Sequence, residues 1–399
     1  MYLSSVFYIF LAAVAWAIPA PRDTSDANIS QFYDLLAEAS SNQAAFLDAS
    51  YNSTCSSENM VVRQSWLSMN ETDRKAYTDA VLCLQTLPAN TPSDLVPGAK
   101  TRYDDFVATH INQTLTIHET GNFLSWHRWF VYTYEQALKT ECGYNGSQPY
   151  WNWGLTQDDP ASSTIFDGSD YSMGGNGEYI AGRGDLVLSL NGNNTVYLPA
   201  GSGGGCVTSG PFKDMVVNLG PVSLPINNGS TISSFNGGLD WNPRCLARDV
   251  TTEANSGYAN STAMINLLTT PDDIGTFQDV MQGALGTTDL GVHGGGHYTI
   301  GGNPADDVYV SPGDPVFFLH HGMIDLMWWL WQFLDIENRQ YVISGTRTFE
   351  NSPASDNATL DDIVDLGYAG GYPITIRELT NTVEGPFCYR TEHGVFFRK

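Results

Sequence analysis

Residues 110–135 read HINQTLTIHETGNFLSWHRWFVYTYE, and the placing of their three histidines decides the fold. His110 closes an apolar stripe with Tyr103, Phe106 and Val107, spaced i, i+3, i+4, i+7 as on one face of a helix. His127 opens a second stripe, continued by Phe130, Val131, Tyr134 and Leu138. His118 lies nine residues before His127. At about 100° per residue it cannot share that helix face, so it belongs to a connection between the two helices. The stretch reads helix, loop, helix, with one imidazole from each part converging. A lone histidine on an apolar face is usually an ordinary core residue; three in 18 residues, two of them facing inward, point to a metal.

A second histidine cluster follows. Residues 292–298 read VHGGGHY, placing His293 and His297 at i, i+4, where a helix aims both rings to one side. Residues 314–334 read DPVFFLHHGMIDLMWWLWQFL. This run is almost long enough to span a bilayer, but two histidines and an aspartate inside it argue for a core helix. His320 and His321 are neighbours, about 100° apart on a helix, so only one of them can face the metal held by His293 and His297. Seven of the eight histidines fall in these two regions, leaving His393 outside.

Two clusters of three imidazoles, with no carboxylate or thiolate among them, narrow the metal. Imidazole suits zinc, copper, iron and nickel, whereas hard cations want oxygen. Non-haem iron usually adds a carboxylate, and His-Gly-Gly-Gly-His lacks the glutamate base of His-Glu-x-x-His zinc proteases. No Cys-x-x-Cys-His haem attachment occurs. Two coppers sharing dioxygen between them is the economical reading.

The rest of the chain agrees. With 43 acidic against 18 basic residues the net charge is −25, which repels nucleic acid and anionic membrane surfaces. Residues 1–17 form an apolar run ending Ala15-Trp16-Ala17, a signal-peptide pattern that predicts a secreted, extracellular protein. Residues 18–27 read as a leader or short pro-segment, and 28–399 as a single domain. Six cysteines without a Cys-x-x-Cys pair fit disulfides, with Cys206–Cys245 the one pairing suggested here. Sequons begin at Asn28, Asn52, Asn70, Asn112, Asn145, Asn193, Asn228, Asn260 and Asn357, so N-glycans are expected. Helical patterns cover 30–49 and 70–86. From about 155 to 260 Gly, Ser, Asn and Pro dominate. That excursion is either the wall of a substrate mouth or a disulfide-pinned surface insertion.

The segment His118-x4-Phe123-Leu124-x-Trp126-His127-Arg128-x2-Val131-x3-Glu135 resembles the first-copper signature of the tyrosinase family. Asp314-Pro315-x-Phe317-Phe318-x2-His321-x3-Asp325 resembles its second-copper signature. The likeness covers roughly residues 100 to 335. It implies a mainly α fold, in which a four-helix bundle holds a dinuclear type-3 copper site among long loops and a few short strands. By carry-over, His110, His118 and His127 hold the first copper, and His293, His297 and His321 the second. His320 becomes a supporting histidine, with the alternative that it replaces His321. An Arg128–Asp325 ion pair bridging the two helices is expected to orient the ligands, and Phe317 to pack on a ligand ring.

The resemblance also implies an activity: oxidation of a small phenol, with O2 as co-substrate reduced to water. Many members that hydroxylate monophenols carry Asn or Asp after the first ligand of the second copper, where this chain has Gly294. That departure favours a catechol oxidase over a monophenol hydroxylase. An o-aminophenol oxidase or a secondary-metabolite tailoring oxidase would carry the same motifs, as would an oxygen carrier resembling hemocyanin. The family's water-holding glutamate has no evident equivalent, and Gln282 or Asp289 can stand in. Val308 aligns with a gate position that is a bulky phenylalanine in many plant enzymes. Three glycines between His293 and His297 cost helix stability, about 1 kcal/mol each against alanine, and opening space over the second copper is one reason to tolerate them. Thr116 excludes the Cys-x-His thioether of some fungal members, and the short stretch after Cys388 suggests no C-terminal lid domain.

Overall fold

Helices carry the histidines and ribbons wrap them. The computed structural model describes residues 27–49, 54–190, 194–284 and 286–392. The expected signal peptide, most of the leader, Asn52, Asn193 and His393 lie outside these. The main helices are α1 (Ala27–Ala49), α2 (Glu71–Leu84), α3 (Arg102–Ile117), α4 (Phe123–Cys142), α5 (Thr252–Gly257), α6 (Ser261–Thr269), α7 (Ile274–Gln282), α8 (Gly291–Ile300) and α9 (Val316–Phe333). The helices expected over 30–49 and 70–86 are α1 and α2, and Asn70 caps α2 by accepting from the Asp73 amide.

Thr101 and Asp104 form a reciprocal capping box that fixes where α3 begins. Its stripe of Tyr103, Phe106, Val107 and His110 is buried. The matching stripe of α4, His127 through Leu138, is buried too, and Gly143 ends that helix in the left-handed conformation. Helix α9 starts where the Asp314 carboxylate accepts the Val316 amide at 2.9 Å. Every residue of α9 is buried, which explains an apolar run of near-membrane length: it is the central rod of the core. Among the described residues no helix is long and apolar enough to cross a membrane.

Helix α4 packs on α9, α3 lies against α4, and α8 against α9, giving the four-helix bundle. Helices α1 and α6 flank α9 on the outside. The described strands pair only in twos. A parallel pair, Val61–Arg63 with Tyr389–Thr391, joins an early segment to a late one and is stapled by Cys55–Cys388. Cys83–Cys142 ties α2 to the end of α4.

The excursion from about 155 to 260 is built of short ribbons, including the hairpin Leu186–Leu190 with Asn194–Leu198. Cys206–Cys245 pins it, and its Ser189, Leu190 and Ser223 line the cavity described below. A fully buried ion pair, Arg248 to Asp314 at 2.7 Å, fastens it to the start of α9.

Candidate metal centre

In the first cluster each Nδ1 meets a backbone carbonyl: His110 that of Tyr309 at 2.9 Å, His118 that of Thr114 at 3.0 Å, His127 that of Phe123 at 2.8 Å. A carbonyl only accepts, so Nδ1 carries the proton and each Nε2 presents a lone pair. His110 comes from α3, His127 from α4, and His118 is the residue that ends α3. One ligand atom from each of the three lies within 4.8 Å of the others. The Nε2 atoms of His110 and His127 are buried without a hydrogen-bond partner, and a bound cation would satisfy both lone pairs.

The second cluster comes from α8 and α9. His293 Nε2 lies 3.2 Å from His297 Nε2, which lies 3.3 Å from His321 Nε2. His320 belongs to the same group by distance, but both its nitrogens are used. Trp153 Nε1, which can only donate, reaches His320 Nδ1 at 3.1 Å. His320 Nε2 therefore bears the proton and donates to the His293 carbonyl at 3.0 Å. His321 is the residue left free to join His293 and His297. The two clusters abut: the His127 and His321 rings stack at 4.5 Å, and those of His118 and His293 lie 5.8 Å apart. A pair of three-imidazole donor sets suits two coppers, each bound by neutral nitrogen.

The supporting residues take the expected places and add two that the motifs do not show. Phe317 stacks on His321 at 4.1 Å and meets His110 edge-on at 5.4 Å. Arg128 and Asp325 pair at 2.6 Å across α4 and α9. Asp325 also takes Arg63 at 2.9 Å and the Tyr389 hydroxyl at 2.5 Å, while Arg63 reaches Glu135 at 2.7 Å. Burial opposes the charge on Arg63, yet Tyr389, Glu135 and Asp325 hold its pKa raised. Burial likewise opposes the Glu135 charge, and Arg63 with Lys139 pulls its carboxyl below the usual range.

A cavity of about 380 Å³ opens over the histidines, lined by His118, His293, His297 and by Gly294, Val308 and Gln282. Val308 is 41% exposed at its rim. Gln282 Oε1 accepts the Glu119 amide at 3.0 Å, and Asp289, also lining the cavity, accepts the Gly291 amide at 2.9 Å. Glu119 lines the cavity as well, though no motif singles it out. Burial, then Asp279 and Glu350, holds its carboxyl up at about 7.

The glycine run needs a different explanation from the one its sequence suggests. A Cβ on Gly296 would stand 2.2 Å from the His320 ring, and one on Gly295 would stand 2.6 Å from Tyr258. These two let α8 approach its neighbours. Only Gly294, whose Cβ would meet Leu290 at 3.1 Å, faces the cavity.

The buried imidazoles set an acid limit on the metal-free fold. Burial lowers His118 to about 4 and His320 to about 3, and burial with the neighbouring imidazoles holds the other five well below the ordinary value. Unfolded histidine titrates near 6.5, so the unfolded chain binds more protons below that pH. This stability is full above about pH 6.5 and is lost as pH falls through about 4. Thermal melts of the metal-free protein should drop steadily across that window, and a flat melting temperature from pH 7 to 4 would contradict neutral buried rings.

The common central domain of tyrosinase matches residues 100–334 as a family model. The N-acetyl-6-hydroxytryptophan oxidase of Emericella nidulans is 38% identical over 90% of this chain and 98% of its own. Tyrosinase P of Aspergillus terreus is 37% identical over 82% of this chain and 91% of its own. Among solved structures, a polyphenol oxidase from Thermothelomyces thermophila, solved as a mutant, is similar at 41% identity and a TM-score of 0.84, covering 91% of this chain and 98% of that one.

Proposed function

Because this chain belongs to the tyrosinase family, we propose that it is a copper-dependent catechol oxidase, converting o-diphenols to o-quinones while dioxygen is reduced to water. Two diphenols each give up two electrons and two protons, and one dioxygen takes all four of each to leave as two waters. The observation that carries the reading is the pair of three-imidazole clusters, each with converging ring nitrogens, beneath one cavity. His110, His118 and His127 would hold one copper and His293, His297 and His321 the other. Copper bound there supplies the electron relay between phenol and dioxygen.

The chain's own part is to bind, orient and exclude water. Three carbonyls fix the tautomers of the first cluster, and the Arg128–Asp325 pair locks α4 to α9 so that His127 and His321 keep their facing positions. Beside His297, the open wall at Gly294 and Val308 leaves room for a phenol ring to lie against that imidazole. Gly294 offers no polar side chain for holding a water that would deprotonate a monophenol, which supports diphenol oxidation over hydroxylation. The likeness to the N-acetyl-6-hydroxytryptophan oxidase favours a second reading, a tailoring oxidase of a hydroxylated aromatic metabolite. The signal-peptide pattern supports secretion as a single domain with N-glycans.

Oxygen-electrode kinetics on the copper-loaded protein test this. Catechol should consume oxygen at once, with tyrosine slow and showing a lag; o-aminophenol and N-acetyl-6-hydroxytryptophan, run alongside, report on the second reading. Rapid tyrosine turnover without a lag or added diphenol would overturn the catechol oxidase assignment.

A further inference from the structure

We propose that Gln282 is a positioning residue: by accepting the Glu119 amide it sets the spacing of His118 and His293, one ligand from each cluster, on the cavity side of the metal pair. This rests on the two-copper reading and adds to it the group that holds the two clusters in register there.

The clusters meet on two sides. On the buried side His127 and His321 stack at 4.5 Å, and the Arg128–Asp325 ion pair fastens the helices that carry them. On the cavity side the facing rings are those of His118 and His293, 5.8 Å apart, and both line the cavity. His118 ends α3, and His293 sits in the first turn of α8. The ion pairs of α3 run from Arg102 to Asp105 and Glu141, not to α8.

Glu119 follows His118 directly and has φ of 49°, the left-handed region that non-glycine residues avoid. Such backbone persists where its surroundings fix it. Two contacts do so here. The Gly121 amide donates to the Thr346 carbonyl at 2.9 Å and holds the far end of the turn. The Glu119 amide donates to Gln282 Oε1 at 3.0 Å and holds the end beside His118. A backbone N–H only donates, so the side-chain oxygen of Gln282 is the atom that faces it.

Gln282 is the last residue of α7, and that end of the helix is wedged against the start of α8. A Cβ on Gly283 would stand 2.3 Å from the Asp289 carbonyl oxygen, and one on Gly291 would stand 2.3 Å from the Met281 carbonyl oxygen. Backbone packed that closely transmits a shift instead of absorbing it. Moving Gln282 therefore moves the start of α8, two residues before His293. One side-chain hydrogen bond and one tight backbone contact thus connect His118 to His293.

Three full-length chains test this: wild type, Gln282→Met, which removes the acceptor at similar length, and Gln282→Glu, which keeps it. Copper retained by the loaded proteins against increasing EDTA is measured at high salt, where the added charge of Gln282→Glu is screened. In Gln282→Met one of the two coppers should be held roughly tenfold more weakly, and Gln282→Glu should restore it. On the metal-free chains, hydrogen exchange at the Glu119 amide should be roughly tenfold faster in Gln282→Met alone. Restoration by glutamate separates positioning through the acceptor from a general loss of packing. Equal copper retention in all three chains overturns the proposal. So does equal loss in both variants, or exchange at Glu119 that ignores the methionine. A wild-type chain that takes up no copper fails the two-copper reading itself, and the proposal with it, before any variant is compared.

Discussion

Asp325→Ala should be the most destabilising single substitution in the bundle, lowering unfolding free energy by about 3–5 kcal/mol. Asp325 is the shared counter-ion of Arg128 and Arg63, and all three side chains are buried. It also accepts the Tyr389 hydroxyl. Removing it strands the Arg128 guanidinium in a dry interior and takes one of two counter-ions from Arg63. Arg63 keeps Glu135, while Arg128 keeps the neutral acceptors Gln332 and the Leu379 carbonyl and the face of Trp328, but no counter-ion among the described residues. An uncompensated buried charge costs far more than the intact pair contributes, so Arg128→Met/Asp325→Leu should be milder than Asp325→Leu alone. Chemical denaturation of the three variants checks both statements. A loss under about 1 kcal/mol for Asp325→Ala would show that the network is not what fastens α4 to α9. Copper content gives a second readout, because Arg128 follows His127 and Asp325 lies one turn after His321. Copper affinity should weaken by roughly 10- to 100-fold even where the variant folds.

How much of this site could be read in advance depends on how local each signal is. The seven histidines and the Arg128–Asp325 pair are legible because metal ligation and helix spacing both leave marks within a few residues. Arg63 leaves none. It arrives through the parallel pairing of Val61–Arg63 with Tyr389–Thr391, which joins an early segment to a late one. Glu350 reaches the cavity through left-handed backbone in an irregular turn, which no periodicity encodes. The glycine run shows the opposite failure, where a visible motif suggests one cause and packing supplies another. Gly295 and Gly296 are small because Tyr258 and His320 press on α8, a contact between distant segments. Cys206–Cys245 closes a loop within one glycine-rich region and could be guessed, whereas Cys55–Cys388 spans 333 residues and could not.

His321→Ala and His320→Ala should separate two adjacent histidines that spacing alone leaves equivalent. His321 has Nε2 at 3.3 Å from that of His297, pointing into the shared hollow of the second cluster. Its loss should reduce bound copper from two ions per chain to one, and lower diphenol turnover by about a thousandfold or more, since the metal pair carries the electrons. His320 is spoken for on both sides, accepting from Trp153 and donating to the His293 carbonyl. His320→Ala should therefore keep two coppers and lose stability instead. It leaves the Trp153 indole N–H unpaired in a buried site, removes the extra donor to the His293 carbonyl and opens a cavity beside Gly296, together about 2–4 kcal/mol. Because Gly296 touches the His320 ring, Gly296→Ala should mimic the stability loss without removing any imidazole. Metal analysis and denaturation on the same preparations distinguish the outcomes. Copper lost from His320→Ala but retained in His321→Ala would reverse the assignment, and would require the Trp153 contact to break whenever metal binds.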